Sequence, residues 1–326
     1  MGVSNLGQAL KAGPFRDMVI AAIVFTLPNI TPELAGWLQG FTPIVAFYIA
    51  ASHGPGRGNA IIVKAFCIAA GLTALAGSLQ SLLFTMALVP LGFSLAHSAR
   101  LRLSAERAAF FGMGVLVAGY LAYWLATFTL TGLNPYQVLS DGLQNGLRQW
   151  GEAYMALGKS EGWNAEALHN LEQLVQQATT YLPTFLPGIL IITLLCQVWF
   201  NLTLGSFLLR KTVPGVIPWP EMPSWRLPEH LVWALISGAI AIFLPWEDIK
   251  LIGINLLMII CTLYLFQGFS VLAFLFRKWR VPPGLRALMY LLLLLQGYGL
   301  LVVSGIGLAD VWANFGKPRN QDEGSI

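Results

Sequence analysis

Leu251–Phe276 reads LIGINLLMIICTLYLFQGFSVLAFLF, 26 consecutive residues without one charge. As a helix rising 1.5 Å per residue this run would measure about 39 Å, more than the ~30 Å hydrocarbon core of a bilayer. A soluble core helix has no need of such length. Comparable blocks recur outward in both directions, at 17–34, 36–52, 60–77, 79–97, 108–131, 182–208, 230–245 and 285–308. Unpaired backbone groups in hydrocarbon cost several kcal/mol each, so the spanning segments must be helices or a closed barrel. These runs are too long and too uniformly apolar for barrel strands. The expected fold is all-α, a polytopic transmembrane helical bundle of eight or nine spans, the count turning on whether 17–34 crosses fully.

Composition agrees: 56% of the 326 residues are hydrophobic and 10% charged, against roughly a quarter charged in soluble domains. Mean hydropathy is +0.67. Disorder, a disulfide-stapled secreted fold and a singly anchored soluble domain are excluded. Cys67, Cys196 and Cys261 each lie inside an apolar block without metal or redox spacing and read as small packing residues. Met18–Leu27 follows Lys11 and Arg16 as a signal peptide would. No small-residue cleavage pattern comes after it, so it reads as a retained span.

The net charge of +4 needs no nucleic-acid partner. With the N-terminus inside, the cytoplasmic connections hold Lys11, Arg16, Arg57, Lys64, Arg100, Arg102, Arg107, Arg210, Lys211, Arg226, Arg277, Lys278, Arg280 and Arg286, which is 14 of 19 positives. The opposite side holds Arg148, Lys159 and Lys250, with Lys317 and Arg319 in the tail. The positive-inside rule then orients the bundle.

This divides the chain into five spans over 1–131, a connection at 132–181, four spans over 182–308 and a polar tail at 309–326. In the connection, Leu143, Leu147, Trp150 and Tyr154, then Leu168, Leu171, Val175 and Leu182, recur with helical offsets on either side of Gly158–Gly162. An external amphipathic helical hairpin is expected, either lying in the interface or acting as a lid or docking arm. Residues 209–229, with Pro214, Pro218, Trp219, Pro220, Pro223, Trp225 and Pro228, form a cytoplasmic loop whose tryptophans suit the interface. It serves as a stiff connector or as a surface for a coupling or envelope protein.

Ionisable residues inside spans are the strongest functional signal in a membrane protein. Here no Asp, Glu or Arg falls near the middle of a block, which argues against a buried carboxylate as the working group. The uncharged polar residues Gln197, Asn201, Asn255, Gln267 and Gln296 are the candidate solute-binding groups, or else interhelical glue. Gln267 and Gln296 both fall about 14 to 17 Å from the inner ends of adjacent blocks, so a hydrogen bond between them is expected. Small-residue rows at Ala65, Ala69, Ala70 and Ala74, and at Ala118, Ala122 and Ala126, would let helices approach closely. His53, His97, His169 and His230 show no metal spacing, and neither a GxSxG nor a nucleotide-binding loop occurs. Neither an enzyme nor a cofactor is expected.

The Gln267-Gly268 pair, the basic turn after it and the closing Gly307-Leu308-Ala309-Asp310-Val311-Trp312 resemble the YybS-like family of bacterial membrane proteins, a domain of unknown function. More distantly, Pro43, the glycine-rich turn at 54–58 and Pro90-Leu91-Gly92 are similar to substrate-binding components of energy-coupling-factor transporters. That similarity implies a bundle in the bacterial inner membrane that binds a vitamin or metal-related solute and meets a coupling protein at its cytoplasmic face. The alternative function is a scaffold of the cell envelope machinery.

Overall fold

The computed structural model describes residues 13–78, 81–213, 215, 216, 219, 227–313 and 315. Among these residues every regular element is helical and no strand occurs. In chain order the helices are α1 (Pro14–Ile30), α2 (Pro32–Ala35), α3 (Thr42–Leu75), α4 (Leu82–Arg100), α5 (Ala105–Thr131), α6 (Pro135–Ser160), α7 (Ala165–Thr212), α8 (Leu231–Phe243), α9 (Glu247–Lys278), α10 (Pro283–Leu295) and α11 (Gly297–Ala313), with a 3-10 turn over Gly36–Phe41 between α2 and α3. Five helical stretches are long and apolar enough to cross a membrane: Pro32–Leu75, Leu82–Arg100, Ala105–Thr131, Ala165–Thr212 and Glu247–Lys278. The bent pair α10 and α11 would make six.

Two compact units divide the chain. The first takes residues 1–135 and 193–219. Here α3 packs on α1 and α4, and α4 on α5, around a core that includes Phe25, Phe47, Leu91, Leu95 and Leu116. Glycine lets the backbones of α3 and α4 meet: a methyl on Gly92 would strike the Pro43 carbonyl and Ala46. The expected gap between spans at 36–52 and 60–77 is a break inside α3. Gly54 has φ 77° and ψ 173°, a conformation only glycine adopts cheaply, and Pro55 restarts the helix without needing the donor it lacks. Ala65 and Ala69 of the first small-residue row are buried here, whereas Ala118 and Ala122 of the second are exposed.

The second unit takes 136–192 and 220–326, with α9 packed against α8 and α11. Its hairpin of α6 and the first part of α7 closes on glycines: Gly151 abuts Val175, and Gly158 abuts Trp163 and Leu168. Asn164 caps α7 by accepting from the Ala167 N–H at 2.7 Å, as the sequence suggested.

Five sequence expectations are corrected. The hairpin's second arm and the block at 182–208 are not separate elements but one 48-residue helix, α7, about 72 Å long and more than twice the thickness of a bilayer core. The block at 285–308 is not one straight span, because the chain breaks at Gln296 and turns by 109° between α10 and α11. The tail begins later than 309, since α11 runs to Ala313. Trp219 is not an interfacial anchor: it is buried against Phe47, and its indole N–H donates to the Leu103 carbonyl at 2.7 Å. The remaining residues of that loop at 214, 217, 218 and 220–226 lie outside the described residues. Cys67 and Cys196 are exposed rather than packed.

Candidate functional site

Each of the five polar candidates can be followed to its partners. In the first unit the chain enters α3 through the 3-10 turn, where the residue three beyond Gly40 is Pro43. Proline has no N–H to give the Gly40 carbonyl. Two side chains of α7 supply donors instead: Gln197 Nε2 at 3.0 Å and Asn201 Nδ2 at 3.4 Å. Asn201 also donates to the Gln197 carbonyl at 2.6 Å, which fixes its amide orientation and turns Oδ1 away. That Oδ1 is buried without a hydrogen-bond partner, and so is Thr42 Oγ1, two residues beyond Gly40. On the other side of the turn, Gln39 donates to Asn29 Oδ1 at 3.3 Å, and Asn29 donates to Thr85 at 2.9 Å. The turn is thus held by amides from two helices, α1 and α7, and keeps two unspent polar atoms.

Asn255 has a different fate. Along α7, Gly188 N–H would ordinarily bond to the Thr184 carbonyl. Asn255 of α9 inserts into that link, accepting from Gly188 N–H at 2.7 Å and donating to Thr184 O at 3.0 Å, with a further bond to Leu251 O at 2.8 Å. One residue earlier, Pro187 leaves the Pro183 carbonyl without its helical donor, and the Tyr136 hydroxyl donates there at 3.3 Å. A groove of about 760 Å³ runs past Pro183, Thr184, Pro187, Asp248, Leu251 and Asn255. The Asn255 amide is engaged on both its oxygen and its nitrogen by these bonds.

The expected bond between Gln267 and Gln296 does not form. Gln296 is exposed at the α10–α11 break. Gln267, only 2% exposed, accepts from the Leu227 N–H at 3.2 Å and donates to Asp310 Oδ2 at 3.0 Å. Side chains lean toward the N-terminus of their own helix, so on the antiparallel α9 and α11 these two lean toward each other. Asp310 is 2% exposed, so the protein does bury a carboxylate. It was missed because 309–326 was read as tail. The sequence signal was its spacing from Gly307, three residues back on the face that meets α9, where a methyl would strike the Tyr264 carbonyl. A second buried carboxylate, Asp17, opens α1, bonded to Arg16 at 2.9 Å and to His53 Nε2 at 2.8 Å just before the Gly54 break. Among the described residues no three His, Cys, Asp or Glu side chains gather as a metal site.

Several long apolar helices that carry satisfied amides at their broken points define a multi-pass α-helical membrane protein. The chain matches, over residues 19–311, the family described as predicted membrane protein (DUF2232), and it belongs to that family. No curated protein and no solved structure matches it.

Proposed function

We propose that the protein binds a small uncharged or weakly polar solute at the Gly36–Phe41 turn and serves as an uptake or sensing component, not an enzyme, of the kind that energy-coupling-factor transporters use. The observation that carries this reading is the pair of buried, unpartnered polar atoms, Asn201 Oδ1 and Thr42 Oγ1, beside a carbonyl already held by Gln197 and Asn201. A buried polar atom without a partner costs about 1–3 kcal/mol, and a solute offering a donor to Asn201 Oδ1 would recover it. Broken helices inside a membrane characteristically line such sites. The clustering of residues 1–135 with 193–219 supports a binding core made by the first six apolar blocks.

The finer topology that accompanies this reading has eight or nine crossings of the bacterial inner membrane. The N-terminus lies on the cytoplasmic side, the α6–α7 hairpin outside, and a coupling protein meets the basic cytoplasmic face. The test is thermal unfolding of the purified protein in lipid discs against a panel of neutral vitamins and nitrogen heterocycles. A true ligand at a hundred times its Kd stabilises by about 2.7 kcal/mol. The shift should vanish in Asn201→Leu while Asn255→Leu, if folded, keeps it. A panel that shifts neither wild type nor variant, or a shift retained by Asn201→Leu, overturns the reading.

A further inference from the structure

The packing of α9 on α11 decides where α10 lies. Gly268 abuts Val303, and Tyr264 abuts Gly307, so each step forward along α11 is a step back along α9. Counting six residues back from Val303 sets Gly297, the start of α11, level with Phe274. That is four residues, or about 6 Å, from the end of α9 at Lys278. The end of α9 and the start of α11 therefore share one end of the pair. The 13-residue α10, about 20 Å long, must leave and return at that end, and its 109° turn from α11 lays it across the end rather than through the membrane.

The faces of α10 are sorted accordingly. Tyr290 turns inward against Phe269 and Phe276, at ring separations of 6.0 and 5.4 Å, and Arg286 donates to the Val281 carbonyl at 2.6 Å. Outward it shows Leu285, Leu288, Met289, Leu291, Leu292 and Leu295, all exposed and with no charge among them. A helix lying across the end of a bundle with such an arc is submerged just beneath the headgroups. The turn that leads into it exposes Arg277, Lys278, Trp279 and Arg280. Arg280 sits at φ 53°, the left-handed position after a helix where glycine is the favoured residue, as Arg102 does at φ 52° after α4; only the turn at Arg280 leads into an exposed leucine arc.

We propose that this corner is a binding site for an anionic phospholipid. The headgroup phosphate is held by Lys278 and Arg280 with the charge of Arg277 beside them, Trp279 sits at the interface, and an acyl chain lies along the leucine arc of α10. Three clustered cations favour an anionic over a zwitterionic headgroup, and the submerged arc calls for an acyl chain, which a soluble anion lacks. The ninth crossing is then α11 alone.

The test exchanges the purified protein into micelles containing equal amounts of phosphatidylcholine and phosphatidylglycerol and counts retained lipids by native mass spectrometry. Wild type should retain phosphatidylglycerol preferentially. The triple variant Arg277→Gln, Lys278→Gln, Arg280→Gln should lose roughly tenfold or more of that preference, while Arg102→Gln with Arg107→Gln, in the other basic turn, should keep it. No preference in wild type, or equal retention by the triple variant, overturns the proposal. A second measurement stands apart from the triple variant's folding. Nitroxides on Leu285→Cys and Leu295→Cys, in a chain freed of its three cysteines, should report one shared depth; depths differing by the length of α10 would overturn the in-plane placement.

Discussion

Replacing Gln267 with leucine removes one side chain and takes a hydrogen bond from each of two partners. Leu227 N–H loses the acceptor it holds at 3.2 Å, and Asp310 Oδ2 loses the donor it holds at 3.0 Å. Leucine is close to glutamine in volume, so no large cavity adds to the cost and the change reads hydrogen bonding almost alone. Interhelical hydrogen bonds in membranes average only about 0.6 kcal/mol, which for two bonds would give little more than 1 kcal/mol. That average covers groups that find other partners once the helices separate. Here Gln267 and Asp310 are each 2% exposed in the folded protein, so a donor lost from this carboxyl group is not replaced by water. Stranded buried groups cost about 1–3 kcal/mol each, and the second estimate should win. The expected loss is about 3 kcal/mol, on the order of a hundredfold in the unfolding equilibrium. Reversible unfolding in mixed detergent–lipid micelles measures it, and a cycle with Asp310→Asn should show a coupling of 1 kcal/mol or more. A single-variant loss below about 1 kcal/mol, with no coupling, would refute the argument that burial makes this bond worth more than its class.

Gly307→Ala should push α11 off α9, because the added methyl lands on the Tyr264 carbonyl, whereas Gly305→Ala on the same helix meets nothing within 4 Å; thermal unfolding should separate them by about 2 kcal/mol or more. In α7, Asn255→Leu should cost about 2 kcal/mol by stranding Gly188 N–H and Thr184 O behind a side chain that keeps them apart. Asn255→Ala should cost less, since the helix can then close its own bond, and the order of the two midpoints checks this. A Lys159→Cys substitution at the hairpin end should react with an impermeant maleimide added to intact spheroplasts, and labelling only after lysis would reverse the proposed orientation.

The helical, membrane-embedded character of the chain was legible without coordinates, because a carrier of 26 uncharged residues has only one way to satisfy its backbone in lipid. Block edges in the first half were nearly right for the same reason: Leu82–Arg100 and Ala105–Thr131 match 79–97 and 108–131 within a few residues. Of the candidate residues, Gln197 and Asn201 do come together, and their spacing of four on one helix announced it. Gln267 does hydrogen-bond between helices, but to Asp310 rather than to Gln296. Depth along a helix can be counted from its end, whereas azimuth and breaks cannot, so Gln296 matched Gln267 on paper and then fell at a 109° turn.

Low charge and the length of the apolar runs belonged to the sequence alone, because hydrophobic transfer acts residue by residue. Packing decided the rest. Only the approach of Gly268 and Gly307 to a neighbouring backbone brought Asp310 out of an apparent tail and against Gln267. Only the joining of two blocks into α7 showed an unbroken helix longer than the bilayer is thick. Local preference decides that a segment is helical, but which carbonyl lacks a donor, and which amide arrives to supply one, depends on the neighbours that close packing selects.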